Sequence, residues 1–243
     1  MYYQDPIYEG SFCILDLRIE DKYLQQDGFV FLTGMQAIVR LVLEKQRADA
    51  LKGPVNQTYF TGYEGSPLGG LDLELVRNLQ FLNAEGRTLH QFGINEKTAA
   101  SAILGTQFAE AANIDAFWYG KAHGTMWIPD EIWLANLSGT AENGSMVLLC
   151  GEDHRSKSSV SPGSSEGVLR SCNVPTFYPA NIEEVIELGL HAVALSRHTG
   201  LVTALKLVTP VCDGGSTVEL SQVRPSIVLP KRSFPKKFNR IVM

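Results

Sequence analysis

Closely spaced cysteines are missing from this 243-residue chain: Cys13, Cys150, Cys172 and Cys212 lie far apart, with no CxxC spacing. Zinc knuckles and iron–sulfur centres need thiolates grouped at short intervals, so this stretch encodes neither, and no metal-ligand set is read from it. No apolar run approaches the roughly 20 residues that cross a bilayer. The opening "MYYQDPIYEG" also lacks the basic-then-apolar order of a secretory signal. The expectation is a reduced, cytoplasmic protein. Acidic residues are missing after Glu219, where Arg224, Lys231, Arg232, Lys236, Lys237 and Arg240 follow one another. The rest of the chain keeps 15 bases against 26 acids, an acidic body that argues against a nucleic-acid surface.

What is present is a large supply of core residues, 44% hydrophobic, enough for one large domain or two small ones. Residues 1–27 are polar and mixed and read as an N-terminal arm. Residues 28–217 read as an α/β body, and 218–243 as a basic tail, solvated or left by truncation. In the body, "GMQAIVRLVLEKQRADALKG" places Met35, Ile38, Val39, Leu41 and Val42 on one helical face, ended by Gly53 and Pro54.

Short, almost continuously apolar runs then alternate with helical ones. The strand candidates are 57–60, 89–92, 116–119, 146–150, 175–178 and 201–207. The helical candidates are 68–82, 95–112, 130–138, 164–171 and 181–196, the last opened by a capping box of Asn181 and Glu184. Strict alternation implies parallel pairing with right-handed crossovers. The expected fold is therefore α/β, an open, mostly parallel doubly wound sheet of about six strands with helices on both faces. Ligands of such sheets gather at the carboxyl ends of the strands.

Four loops fall at that edge. In "TGYEGSPLGG", Gly62, Gly65, Gly69 and Gly70 allow close approach of a ligand or of another backbone, and Ser66 can cap a helix or donate to an anion; a tight strand-to-helix turn explains the same residues. The spacing matches neither GxxxxGK[ST] nor GxGxxG. In "GINEKTAASA", Asn95 reads as an N-cap with Glu96 in the first helical turn, where a carboxylate also simply complements the helix dipole. "WYGKAHGTMW" exposes Lys121 and His123 between glycines, as site or as scaffold. "CGEDHRSKSSVSPGSSEG" reads as a lid or a surface loop carrying Asp153, His154, Ser158 and Ser159. Adjacent Asp153 and His154 do not by themselves define a nucleophile, an oriented base and an oxyanion site.

The ordered set "VFLTGMQAIVRL", "TGYEGSPLGGLDLEL", "GINEKTAASAILGTQ", "WYGK", "ANLSGT" and "VLLCGEDHRSKSS" resembles the indolepyruvate ferredoxin oxidoreductase family of thiamine-diphosphate enzymes, from about Leu24 to Thr217. The likeness is to the domain that binds the aminopyrimidine ring. It implies that Glu96 hydrogen-bonds that ring and favours its imino tautomer. It also places the GYEGSP turn at the cofactor and substrate mouth, so that Gly62, Tyr63, Gly65, Ser66, Pro67 and Asn95 become cofactor-side candidates. Related chains carry Arg where this one has Glu64, and "KAHGTMW" departs from the family's run. Glu64, Lys121, His123, Asp153, His154, Ser158 and Ser159 are then the substrate-side candidates.

The family's reaction is oxidative decarboxylation of aryl pyruvates, with electrons passing through [4Fe-4S] clusters to ferredoxin and the acyl group passing to coenzyme A. It requires a second domain whose GDG segment holds magnesium and diphosphate; "CDGG" at 212–215 is not that segment. The resemblance therefore implies a partial enzyme, inactive alone, that meets a diphosphate-binding and iron–sulfur domain or subunit. The alternatives are a non-catalytic interaction or regulatory fragment that keeps the fold, and a hydrolase using Asp153, His154 and a loop serine. Association is also expected, because the near-continuously apolar helix at 182–195 needs cover on more than one side.

Overall fold

The computed structural model describes residues 18–109, 113–157, 159–234 and 236. Among them the chain runs α1 (Asp21–Leu24), β1 (Phe29–Thr33), α2 (Gly34–Ala50), β2 (Gln57–Gly62), α3 (Leu71–Arg77), α4 (Leu79–Leu82), β3 (Thr88–Phe92), α5 (Glu96–Phe108) and β4 (Ile114–Lys121). It continues with α6 (Ala122–Thr125), α7 (Pro129–Ser138), β5 (Ser145–Glu152), α8 (Glu166–Ser171), β6 (Thr176–Phe177), α9 (Ile182–Thr199), β7 (Thr203–Val208), α10 (Thr209–Cys212) and β8 (Gly215–Glu219).

Six strands form one parallel sheet in the order β3-β2-β4-β5-β7-β6. The three central strands, β4, β5 and β7, are buried nearly end to end, as the continuous apolar runs imply for strands covered on both faces. One core lies under α2, α3 and α9, where Phe60 stacks on Phe117 at 4.6 Å. The other lies under α5, α7 and α8 around the fully buried Trp118. The expected doubly wound α/β sheet is observed.

Several boundaries differ. The run 68–82 breaks at Asn78 into α3 and α4, and the Asn78 amide donates to the Glu74 carbonyl at 2.7 Å, a local bond that competes with the helix ladder. The run 175–178 pairs only over Thr176–Phe177, following Pro175. Asn181 caps α9 through the Glu184 amide at 2.9 Å, but the Glu184 carboxylate takes the Ala180 amide instead of that of Asn181, so the box is half closed. β1 and β8 were not expected as strands; they pair antiparallel as a separate ladder. α9 finds its cover within the chain, against α2 on one side and β5, β7 and β8 on the other, so its apolarity does not require a partner.

The solvated tail is also corrected. Arg224 pairs with Glu44 at 2.6 Å and Arg232 with Glu142 at 2.5 Å. Lys236 is buried, its ammonium donating to the carbonyls of Ala141, Glu142 and Gly144 at 2.5, 2.9 and 2.9 Å. Opposed charges draw the basic segment back onto the acidic body. Lys237 and Arg240 lie outside the described residues.

The amino end of the sheet is fixed by a buried ionic cluster. Asp115 accepts from Lys45 at 2.6 Å, from Ser145 at 2.7 Å and from Arg197 Nε at 2.8 Å, while Arg197 also clasps Asp49. Burial pushes the Asp115 carboxyl up, but Lys45 and Arg197 outweigh it and hold the group far below the ordinary carboxylate value. This anchoring leaves the opposite, carboxyl edge to the loops.

Candidate functional site at the carboxyl edge of the sheet

Strand register brings the loop residues together. Gly62 stands level with Phe92 on one side and Tyr119 on the other, and Lys121 pairs with Gly151. A Cβ on Gly62 would lie 2.1 Å from the Tyr119 carbonyl oxygen. Only glycine lets the next amide, that of Tyr63, bond that oxygen at 3.0 Å. The Gly93 amide donates to the Gly62 carbonyl at 2.9 Å, drawing the start of the β3–α5 loop to the same point. The glycine-rich turn therefore answers first to its neighbouring strands. At Gly65 the nearest atoms to an added Cβ belong to the Lys121 side chain, at 3.1 Å and beyond.

Asn95 is the N-cap of α5, accepting the Thr98 amide at 2.8 Å, and the Thr98 hydroxyl accepts the Asn95 amide in return. That reciprocal cap places Glu96 at the first helical position. The Trp118 indole donates to the Glu96 carbonyl at 3.0 Å and fixes the turn to β4. The Glu96 side chain is half-buried and lies against Gly124. Among the described residues its carboxylate has no hydrogen-bond or ion-pair partner. An acceptor held this way at a helix N-terminus is ready for a donor on a ligand.

On the loops of the same edge Tyr63, Phe92, Ile94, Met126 and Trp127 are all exposed, Trp127 at 65%. Apart from Tyr63, these apolar rim residues were not singled out from the sequence. Their signal was the presence of large apolar side chains, "FGIN" and "TMW", in glycine-containing loops where no core needs them.

The fourth loop folds against the first. The Ser66 hydroxyl donates to Asp153 at 3.3 Å, and Pro67 and Leu68 pack on Gly151, where a Cβ would meet them at 2.8 and 3.1 Å. His123 reaches Ser161 at 3.1 Å and packs on Gly163. His154 faces Glu152 at 3.8 Å, so Asp153 and His154 look to different partners, and no nucleophile–base–acid chain assembles among the described residues. Ser159 contributes its amide to the Ser156 carbonyl at 3.4 Å. Ser158 lies outside the described residues. Glu64 is exposed, and the buried Asp72 carboxyl beside it raises its own carboxyl above the ordinary value.

Sequence reading also passed over Glu152, which is fully buried at the end of β5. It accepts from the Ser165 amide at 2.8 Å and from its hydroxyl, and faces Lys206 at 3.4 Å. Lys206 also meets Glu166 and lies 4.5 Å from the Tyr178 ring centroid. These contacts tie both ends of the polar loop to the sheet.

No protein-family model matches the sequence. Indolepyruvate oxidoreductase subunit IorA of Pyrococcus abyssi is 23% identical over 205 residues, covering 84% of this chain and 29% of that protein. The subunit of the same name from Methanothermobacter thermautotrophicus is 26% identical over 205 residues, covering 84% and 30%. The resemblance carried by the loop motifs is borne out by these relatives, of which the chain spans about 30% of the length.

Among solved structures, 2-oxoglutarate:ferredoxin oxidoreductase from Magnetococcus marinus superposes with a TM-score of 0.58 at 12% identity, covering 79% of this chain and 32% of that one. Thiamine diphosphate-dependent 4-hydroxybenzoylformate decarboxylase from Rhodococcus jostii RHA1 gives 0.57 at 14%, covering 84% and 35%. The parallel sheet with helices on both faces is thus a fold shared with thiamine diphosphate-dependent enzymes.

Proposed function

We propose that this chain supplies the pyrimidine-binding part of a thiamine-diphosphate-dependent indolepyruvate, or related 2-oxo acid, ferredoxin oxidoreductase, a soluble enzyme of the cytoplasm that passes the acyl group to coenzyme A. Glu96 carries the reading. Its carboxylate stands half-buried at the carboxyl edge, at the first turn of a capped helix, with Gly124 clearing its flank and no partner among the described residues.

The residues fit one half of the cofactor. A planar, donor-bearing ring suits a lone carboxylate beside aromatic and apolar side chains. Among the described residues no group of three or more His, Cys, Asp or Glu is placed to hold a metal. In this reading magnesium, the diphosphate and the [4Fe-4S] clusters belong to a partner domain or subunit, as the family resemblance implies, and ferredoxin to the assembled complex.

When bound, thiamine diphosphate supplies the carbanion chemistry of 2-oxo acid decarboxylation. The chain's own contribution is to hold and orient. Glu96 accepts a proton-bearing ring nitrogen and so selects one tautomer, a task for which a partly desolvated, charge-assisted bond is strong. Asn95 positions Glu96 through the cap. Gly62, Gly65 and Pro67 keep the first turn close to the strand ends, with Tyr63 on its rim and Ser66 tethered to Asp153. Lys121, whose ammonium has no ion pair among the described residues, is the cation for the substrate carboxylate. His123, His154 and Ser159 line the loops on the substrate side, and Glu64, beside Asp72, offers that carboxylate no cation.

Replacing Glu96 with Gln in the assembled complex is expected to lower turnover by about 10²–10⁴-fold, the usual worth of a positioned proton-handling group. Ferredoxin reduction with aryl pyruvates measures it. Near-normal turnover would sink the assignment.

A further inference from the structure

The two edges of the parallel sheet are finished differently. β6 is blunted: it pairs over two residues and follows Pro175. β3 is five residues long and, among the described residues, pairs only with β2. The Arg87 carbonyl accepts from Thr58, and the Gly93 amide donates to Gly62. Residues 87, 89, 91 and 93 therefore face β2, and the backbone N–H and C=O of His90 and Phe92 point away from the sheet. The Thr88 amide is already taken by the Asn83 side chain at 2.8 Å.

The strand itself carries none of the usual guards against a second strand. "TLHQFGIN", residues 88–95, contains no Asp, Glu, Lys, Arg or Pro, the residues that guard exposed edges elsewhere. Burial keeps the His90 imidazole below its ordinary value, which favours the neutral ring, although nearby Asp72 pulls the other way. Apolar side chains flank the edge: Leu89 and Phe92 are each 55% exposed, and Leu73 and Val76 of α3 are exposed beside them.

We infer that the β3 edge is a self-association surface, pairing antiparallel with β3 of a second copy of this chain about a two-fold axis at Gln91. The outward-facing groups select that occupant. His90 and Phe92 are two residues apart, so each copy's His90 hydrogen-bonds the other's Phe92, and Gln91 meets Gln91 as a non-hydrogen-bonded pair on the axis. The frame is self-complementary, and the absence of formal charge means that identical strands meet without like-charge opposition. Two six-stranded sheets then join into one of twelve strands, within the range of large open α/β sheets. Phe92 belongs both to this contact and to the rim of the carboxyl edge, so the pairing would border the proposed cofactor site, while the Glu96 carboxylate itself takes no part in it.

Sedimentation equilibrium of the full chain, with Gln91→Lys, Gln91→Glu and their equimolar mixture, tests it. The wild type is expected to dimerise. Each variant, placing like charges across the axis, is expected to associate about tenfold more weakly, and the mixture to regain at least wild-type strength. A wild type that stays monomeric at every concentration, variants that associate as the wild type does, or a mixture no tighter than its components would overturn the inference. If either variant fails to fold by circular dichroism, hydrogen exchange on the wild type decides. Protection of the His90 and Phe92 amides must rise with protein concentration, and concentration-independent exchange at both rejects the pairing.

Discussion

A Cβ built on Gly124 would stand 2.4 Å from Cγ of Glu96 and 2.9 Å from its Oε1. The helical turn after β4 and the first turn of α5 meet at a distance that only a hydrogen atom allows, so the Glu96 carboxylate is aimed by a glycine on another element. Gly124→Ala is expected to keep the fold at a cost of about 1–3 kcal/mol, the usual penalty for an inserted methyl that neighbours must yield to. By turning Glu96 aside it is also expected to weaken thiamine-diphosphate binding in the assembled complex by at least about tenfold, about 1.4 kcal/mol. Thermal unfolding and calorimetric titration read the two effects separately. Unchanged affinity would show that the contact does not orient the carboxylate.

Asp115 predicts an acid limit on stability. Burial opposes ionisation of its carboxyl, but Lys45 and Arg197 hold its folded value below the unfolded 3.8. A lowered folded value means that the unfolded chain binds the proton more tightly. The contribution is present above about pH 4 and is lost as pH falls from there toward the folded value. Asp115→Asn leaves Lys45 and Arg197 short of a buried countercharge and is expected to cost about 3–5 kcal/mol at neutral pH. Urea unfolding between pH 2 and 6 should show a steep acid slope in the wild type and a flatter one in the variant.

Lys236 gives a dependence of the same sign in a higher pH range, here as a penalty that is relieved. Burial presses its ammonium from 10.5 down to about 7, with Glu142 pulling the other way. Folding then releases a proton between those values, so the wild type should gain stability as pH rises from about 7 toward 10. Lys236→Met keeps the stem and removes the titrating group. The variant's stability should lack that rise, which urea midpoints taken across the interval would reveal. Parallel profiles would mean that the three carbonyl acceptors keep the ammonium charged throughout.

How far the sequence reached depended on the range of the forces involved. The alternation of apolar runs with helical ones specified the parallel sheet, because a strand buried on both faces must be continuously apolar. Asn95 and Glu96 were readable as a cap and a first-turn acid, because capping is settled within four residues. β1 and β8 were missed because each is half-exposed and finds its partner at the far end of the chain. The basic run after Glu219 looked like a solvated tail, because local composition cannot show that Glu44, Glu142 and the carbonyls of Ala141, Glu142 and Gly144 lie in wait for it.

The sequence by itself determined the kinds of segment, the cap that presents Glu96 and the glycines at the strand ends, all consequences of local conformational preference and hydrophobic period. The tertiary structure alone decided what those residues meet. Tyr119 occupies the space over Gly62, Gly124 flanks Glu96, Ser66 holds Asp153, and Asp153 and His154 turn to different partners. Each of these contacts joins residues from different segments, and packing of the whole sheet is what brings them within a few ångströms.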